Sequence, residues 1–500
     1  MKLLELLKGS RMFDTRGIPD VEITEIVTSS LKAGYGSLFV CLEGKSNDGH
    51  KHIREALIKG AVAVVMQKGT KVYIPPFCKN IIFIYCDNTR RAAAELYNTW
   101  YGNPKEKLKL IAVTGTNGKT SVTFMLKAIF EAALYKCGII GTVECTSGEH
   151  RLSANPDSPL ANMTTPDPRE LYRTLAFMAA DKVDYVFIEA SSHALKLSKL
   201  DALTFDTAIF TNLTPEHLDF HTDMEDYKES KARLFAMSEL ALINVDDPNA
   251  DHMIRSSNGR VVTYSAEGNE AYFKTEEGSV DIASGKGIGY TLLSPKTIMK
   301  IKSPLSGNFN VDNTLCAAAC ALLHGISPSV IQEALEGLSG ISGRMERVKL
   351  PIGANFSVFI DYAHTPDAMA NLLDSVRASM GEDKRIVLLF GCGGDRDKSK
   401  RAVMGRIASE KADLTIVTSD NSRSEDPNDI INEIMMGFDK SREYKIIPDR
   451  REAIEYAVLN ARKGDIILLA GKGHEKYEIN QNGRYPFDER EIVANALKKI

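Results

Sequence analysis

The chain has 500 residues, 43% of them hydrophobic and 26% charged, the composition of an ordinary globular protein rather than a fibrous, disordered or membrane one. Its formal net charge of −4 excludes a global basic field for nucleic acid or an anionic membrane, so any anionic substrate must be held by local cations and backbone amides. At ~150 residues per domain the length predicts about three domains.

The chain begins MKLLELLKGSRMFD. Glu5 and Lys8 interrupt its apolar residues, which argues against a signal peptide. No apolar run reaches the ~18 residues of a membrane span. The 8 cysteines include no CxxC pair and read as reduced core thiols of a cytoplasmic protein. Residues 1–104 form a first unit. SLFVCLEG, GAVAVVMQ and IIFIYCDN are strand-like, HIREALIKG has helical spacing, and WYGNPKEK reads as a linker.

Residues 105–338 form a central unit. KLIAVT, DYVFIEA, FDTAIFTN and LALINVDD are predicted strands with amphipathic helices between several of them, the pattern of a mostly parallel sheet covered on both faces. Residues 251–303 are short, polar and glycine-rich, and suggest an antiparallel flap. TLCAAACALL, with Cys316 and Cys320, returns to buried helix. Residues 339–500 form a third unit. NFSVFIDYA, RIVLLFGC, LTIVTS and DIILLAG are its strands, and RAVMGRIASEKA and REAIEYAVLNAR its helices, a second α/β domain of Rossmann type.

The chemistry begins at Gly115-Thr116-Asn117-Gly118-Lys119-Thr120-Ser121, between a strand and a helix. Glycines let backbone N–H groups approach phosphate at the helix start, Lys119 adds charge, and the Thr120 hydroxyl can ligate Mg²⁺. Val113 stands where the strict phosphate-loop pattern has glycine, so this is a shortened GxxGKT form. Kinases, ATPases and ligases all use such loops. Glu189 ends the strand VFIEA, where a carboxylate can supply a further metal contact. In TPEHLDFH a helix would put His217 and His221 on one face. The stretch lacks the HExxH of zinc hydrolases, and His217 is a candidate near metal or phosphate. Asp361 ends another strand, where an acid often takes a ribose hydroxyl, and Tyr362 or His364 could stack on a base. Arg396, Lys398, Lys400 and Arg401, then Asn421 and Arg423, then Glu475 follow successive strands, so parallel packing could gather their loops on one edge.

TGTNGKTS, TTPDP, EASSHAL, FTNLTPEHLDFH, YKESKARLF, LSGNFNVDN, GRME, DYAHTPDA, GCGGDRDKSKR, SDNSRSEDP and AGKGHE together, in order and spacing over residues 108–492, resemble the Mur ligases. The likeness is strongest to the branch that adds the third residue of the peptidoglycan stem peptide. It implies three domains that hold a uridine nucleotide, ATP and the incoming amino acid in turn. It also implies ATP-driven amide formation on UDP-N-acetylmuramoyl-L-alanyl-D-glutamate through an acyl phosphate. By the same resemblance Thr120 and Glu189 hold one Mg²⁺ and His217 helps hold another. Lys231 matches a lysine that is carbamylated in this family, against the plainer expectation of a helix-surface lysine. Thr164, Thr165, Ser191 and Lys199 should face the muramoyl dipeptide, with Lys199 where the family has arginine. Asn310, Arg344 and Asp361 should contact ATP. Ser30, Asp48 and Gly49 fall in the uridine region, where the usual TDSR reads TSSL. Asp420, Asn421, Arg423, Arg396, Gly471 and Glu475 should form the amino-acid pocket. DNSR resembles the DNPR signature of enzymes that add meso-diaminopimelate, with Ser422 for proline, and an arginine fork suits that substrate's second carboxylate.

The expected partners are therefore small molecules, with neither nucleic acid nor membrane, and a monomer that closes its domains around them. L-Lysine or another diamino acid as the added residue, an altered paralogue, a folylpolyglutamate synthase, a phosphate-loop kinase or ATPase, and a silent nucleotide-binding module remain alternatives.

Overall fold

Apolar runs rich in valine and isoleucine supply the strands, and the polar or glycine residues ending each run turn the chain into the next helix. The computed structural model describes residues 1–499 apart from 9, 11, 45–46, 72–79, 153–162, 283–286, 352 and 381–383, and Cys78 lies outside the described residues. The other seven cysteines are buried.

In the first part Ile26–Val27, Leu38–Val40, Ala63–Gln67 and Ile82–Cys86 form a parallel sheet in that order. Helix Thr89–Trp100 follows, its first N–H groups taken by the Asn88 side chain. Its Leu96 and Tyr97 share a core with Leu171 and Tyr172 of helix Pro168–Ala180, so the first layer packs continuously onto the next.

The large central sheet has seven parallel strands side by side: Phe273–Thr275, Arg260–Ser265, Leu240–Asn244, Thr207–Phe210, Lys109–Thr114, Tyr185–Glu189 and Cys137–Ile140. Ala112 lies between Ala208 and Ile188 in register. Buried helices cover both faces, which is why its strands read as continuous apolar runs. Residues 251–303 are not a detached flap. Arg260–Ser265 and Phe273–Thr275 extend the parallel sheet, and the antiparallel pair is Ile288–Leu293 with Ile298–Ser303. That hairpin buries alternate residues, among them Tyr290, Leu292 and Ile301, in the core of helix Phe309–Leu323. The polar character of the stretch belongs to its outer face. Cys137–Ile140 is a strand that the sequence reading left out, a run too short to stand above its neighbours.

The third sheet runs Glu346–Arg347, Ser357–Asp361, Ile466–Ala470, Ile386–Phe390, Leu414–Val417, Tyr444–Ile446, parallel except for the first pair. A separate hairpin, Tyr477–Asn480 with Gly483–Pro486, follows it. In a parallel sheet the loops beyond the carboxyl ends share one edge. Contacts join the two such edges here: Asn117 Nδ2 and the Thr214 hydroxyl both donate to Asp367 Oδ2, at 3.0 and 3.3 Å. Among the described residues no helix is long and apolar enough to cross a membrane.

Candidate active site

The strand Lys109–Thr114 delivers the chain into the glycine turn, and helix Lys119–Ala132 starts directly after it. Gly115 has φ +151°, and a Cβ there would meet the Thr211 hydroxyl at 1.9 Å, so only glycine fits. Asn212 holds the turn by accepting from the N–H groups of Thr116 and Asn117. The Thr116 hydroxyl lies 3.1 Å from the Tyr227 hydroxyl. Lys119 Nζ curls back to the carbonyls of Gly115 and Thr116, at 2.9 and 2.8 Å, and burial lowers its pKa from the usual lysine value. Thr120 and Ser121 are buried in the helix's first turn, which presents free N–H groups and a positive dipole end.

The adjacent strand carries Glu189, fully buried. Its Oε2 accepts from the Thr120 and Thr142 hydroxyls at 3.0 and 2.9 Å, and its Oε1 from the Thr142 N–H at 3.0 Å. A Cβ on Gly141 would stand 2.3 Å from that carboxylate, so the turn after Cys137–Ile140 has no room for a side chain. Thr120 and Glu189 give the all-oxygen donor set that magnesium takes. Sequence reasoning missed Thr142, and its signal was the short run CGII followed by Gly-Thr. Thr164 touches the same group, its hydroxyl 3.0 Å from that of Thr142. The Thr165 hydroxyl donates to the Glu189 carbonyl at 2.6 Å and accepts from the Ser191 N–H at 3.1 Å. Lys199 Nζ pairs with Asp167 at 2.8 Å. These four residues thus line the carboxyl end of the Glu189 strand.

His217 and His221 share no helical face. His217 has φ +58° in a loop and turns toward Glu216, while His221 is buried on Ser192 and Asp226. Glu216 is a second residue that the sequence reading did not single out. Its carboxylate lies 3.6 Å from His217 and 3.4 Å from His364, which reaches across from the third sheet. Burial alone would raise the Glu216 pKa, but His364, His217 and Lys119 hold it well below the usual range. Lys231 is not on a helix surface. It is 1% exposed, and its Nζ donates to the Gly115 carbonyl at 2.7 Å and sits 4.5 Å from the Tyr227 ring centre. Burial, reinforced by Lys119, holds its amine well below the ordinary lysine range.

Of the three residues expected at the nucleotide, Arg344 contacts the loop directly, Asn310 stands one residue behind it and Asp361 lies against the segment that carries Arg344. Asn310 is buried, donates to the Ser306 carbonyl at 2.7 Å and accepts from Asn313 at 3.2 Å; Asn313 in turn lies beside Gly118. Arg344 Nη2 donates to the Thr120 hydroxyl, and its guanidinium stacks 4.8 Å from the Tyr362 ring centre. Asp361 accepts from the N–H groups of Met345 and Ala363 at 2.7 and 2.8 Å, and burial raises its pKa.

The loops beyond the third sheet gather the remaining candidates. Asn421 Nδ2 donates to Glu475 Oε2 at 2.8 Å, and Arg423 Nη1 donates to the Gly394 carbonyl at 2.7 Å. Arg396 is exposed, and Gly393 lies between its side chain and that of Arg423. Asp420 sits against Gly471, where a Cβ would come within 2.7 Å of its carboxylate. Lys472 and Arg450 hold Asp420 below the usual carboxylate range despite burial, whereas burial and Asp420 raise Glu475. Ser30 belongs to the first sheet's loops, donating to Glu55 at 2.7 Å, and has no contact with these clusters.

The chain is similar to known proteins along most of its length. Residues 113–321 match the Mur ligase middle domain, and residues 343–473 match the Mur ligase glutamate ligase domain. A UDP-N-acetylmuramoyl-L-alanyl-D-glutamate--2,6-diaminopimelate ligase of Caldanaerobacter subterraneus subsp. tengcongensis is 42% identical, over 99% of both chains. The enzyme of that name from Clostridium tetani is 39% identical over 100% of both. A solved structure of an enzyme of the same name superposes with a TM-score of 0.67 at 31% identity, over 95% of each chain. A folylpolyglutamate synthase of Mycobacterium tuberculosis shares the fold at TM-score 0.61 and 18% identity, but covers only 77% of this chain. On the strength of the two family models and the full-length relatives, the chain belongs to the Mur ligase family.

Proposed function

We propose that this Mur ligase joins meso-diaminopimelate to UDP-N-acetylmuramoyl-L-alanyl-D-glutamate at the expense of ATP. The observation that supports the choice of amino acid is a cluster of loops carrying both charges: Arg423 beside Arg396 for a carboxylate, and Glu475 with Asn421 for an ammonium. L-Lysine would bring a cation where Arg423 waits for an anion. The relatives named for diaminopimelate support the same choice.

A carboxylate is a poor electrophile, and phosphorylation gives it a leaving group. The turn from Gly115 to Ser121 cradles the ATP phosphates, with Asn310, Asp361 and Arg344 around the nucleotide. Thr164, Thr165, Ser191 and Lys199 orient the dipeptide so that its terminal carboxylate faces the γ-phosphoryl group. That group moves to the carboxylate and ADP is left. The diaminopimelate amine, positioned by the loops of the third sheet, attacks the acyl carbon, loses a proton and expels phosphate. Thr120 and Glu189 would hold one magnesium ion, and His217 with a carbamylated Lys231 a second; bound magnesium offsets the charge of the anions brought together. Lys231 suits that role because burial and Lys119 push its amine well below the ordinary lysine range, which favours the free amine that takes up CO2 with release of a proton. Residues 1–104, with Ser30, hold the uridine nucleotide; residues 105–338 hold ATP and residues 339–500 the amino acid. The enzyme is expected to work in the cytoplasm as a monomer.

The test incubates purified protein with ATP, Mg²⁺, the UDP-dipeptide and either meso-diaminopimelate or L-lysine, and reads products by mass. A diaminopimelate adduct alone is expected. A lysine adduct keeps the ligase and overturns the specificity, and no adduct with either overturns the reaction.

A further inference from the structure

We infer that Lys472 is a positioning residue for amino-acid recognition: its buried ammonium fixes the Asn421 carboxamide so that Asn421 must donate to Glu475. The inference rests on the proposed diaminopimelate pocket and names what sets its polarity.

Lys472 follows Gly471 at the end of the strand Ile466–Ala470 and is 0% exposed. A fully buried lysine requires partners. Its Nζ donates to Asn421 Oδ1 at 3.0 Å and to the Tyr477 carbonyl at 2.9 Å, with Asp420 Oδ1 at 3.6 Å. The Ile479 N–H donates to the same Asn421 oxygen at 2.9 Å. An asparagine amide can otherwise turn over, exchanging its oxygen and nitrogen. Here it cannot, because an ammonium and a backbone N–H offer only protons, and a reversed amide would set donors against both. The Asn421 nitrogen is therefore committed to Glu475 Oε2, at 2.8 Å. One Glu475 oxygen is thereby held by the amide, which fixes the carboxylate as an acceptor for an ammonium.

The same lysine ties three loops together. Asn421 comes from the loop after Leu414–Val417, Glu475 from the loop after Ile466–Ala470, and Tyr477 and Ile479 from the hairpin strand Tyr477–Asn480. Arg423 joins that assembly through its N–H, which donates to the Ile479 carbonyl at 3.1 Å. Lys472 touches none of the phosphate-loop residues. Its loss should weaken amino-acid binding and spare the nucleotide.

The experiment compares full-length wild type, K472M, K472Q, N421A and the double variant K472M/N421A, measuring KM and kcat for each substrate and thermal stabilisation by ADP. K472M should raise the diaminopimelate KM roughly 10- to 100-fold, the effect of a lost charge-assisted hydrogen bond. Its KM for ATP and for the UDP-dipeptide should stay within about twofold. K472Q, which keeps a donor, should recover part of the loss. The double variant should be little worse than N421A, because both act through one amide. An unchanged diaminopimelate KM in an ADP-stabilised variant overturns the inference, as does a K472M effect equally large in the N421A background. If K472M does not fold, the same comparisons are made with K472Q alone and in the N421A background. Wild-type protein that couples lysine, or nothing, overturns the diaminopimelate reading instead.

Discussion

The guanidinium of Arg344 donates from Nη2 to the hydroxyl of Thr120 at 3.2 Å, across 224 positions of sequence. Its Nε has no hydrogen-bond partner in the protein, although it is buried. A cation with a spare donor beside the phosphate loop is equipped for an anion that the loop receives. Arg344→Ala should lower the rate of ADP release by roughly 10²–10³, the scale of losing one donor to a charged transition state. Arg344→Lys should restore only part, since it loses the planar fork. Steady-state kinetics with each variant decide the matter, and an unaltered kcat would show that Arg344 has no part in the transfer.

Lys231 should carry CO2. Burial and the neighbouring Lys119 depress its folded pKa, which favours the free amine that reacts with CO2. Native mass measurement in bicarbonate buffer should therefore reveal one added CO2, lost on acidification. Lys231→Ala should cut activity at least about 100-fold, and millimolar formate or acetate should restore some of it by supplying the missing carboxylate. Failure of every small carboxylate to restore activity, with no mass increase in wild type, would leave Lys231 a structural amine.

Arg423→Ala should raise the KM for meso-diaminopimelate roughly 10- to 100-fold. The KM for ATP should be unmoved, and discrimination against L-lysine should shrink. Competition between the two amino acids, read by product mass, measures that ratio directly. Preserved discrimination would mean that another group reads the second carboxylate.

Glu425 makes stability depend on pH. Arg401 grips it from both terminal nitrogens at 2.9 and 3.0 Å, and these bonds hold its carboxyl down at about 2. Since the folded pKa lies below the unfolded value of about 4.3, the stabilisation is full above that value. It disappears as pH falls toward 2. Glu425→Gln should destabilise by roughly 1–3 kcal/mol at pH 7 in urea unfolding. The gap to wild type should narrow between pH 4.5 and pH 3. A gap independent of pH would assign the effect to packing.

Legibility in the sequence followed the range of the interactions. The turn from Gly115 to Thr120 was readable because its glycines, lysine and following helix are contiguous. Glu189 and Asp361 were readable because a strand end is a local feature. Lys231 could have been recognised as buried without any resemblance. In the helix Met224–Ala236 it shares a face with Tyr227 and Leu234, so it lies on the apolar stripe. The i, i+4 spacing of His217 and His221 would put them on one face only in a helix, and spacing alone cannot register the φ of +58° that His217 adopts in a loop. Glu216 and Lys472 could not be singled out from local pattern. Each takes its meaning from partners on other strands, such as His364 for Glu216 across the two sheets.

The pairing of Glu346–Arg347 with Ser357–Asp361 anchors Arg344 to the third sheet, next to Asp361, while Lys119, Glu189 and Asn310 hang on the central one. The proposed nucleotide site is therefore split between two sheets, and a nucleotide seated there would act as a rivet. Part of its binding energy goes into alignment rather than grip. Arg396, Asn421, Arg423 and Glu475 ride on the same sheet as Arg344, so the contact that sets the arginine on Thr120 also fixes where the proposed amino-acid loops stand against the central sheet.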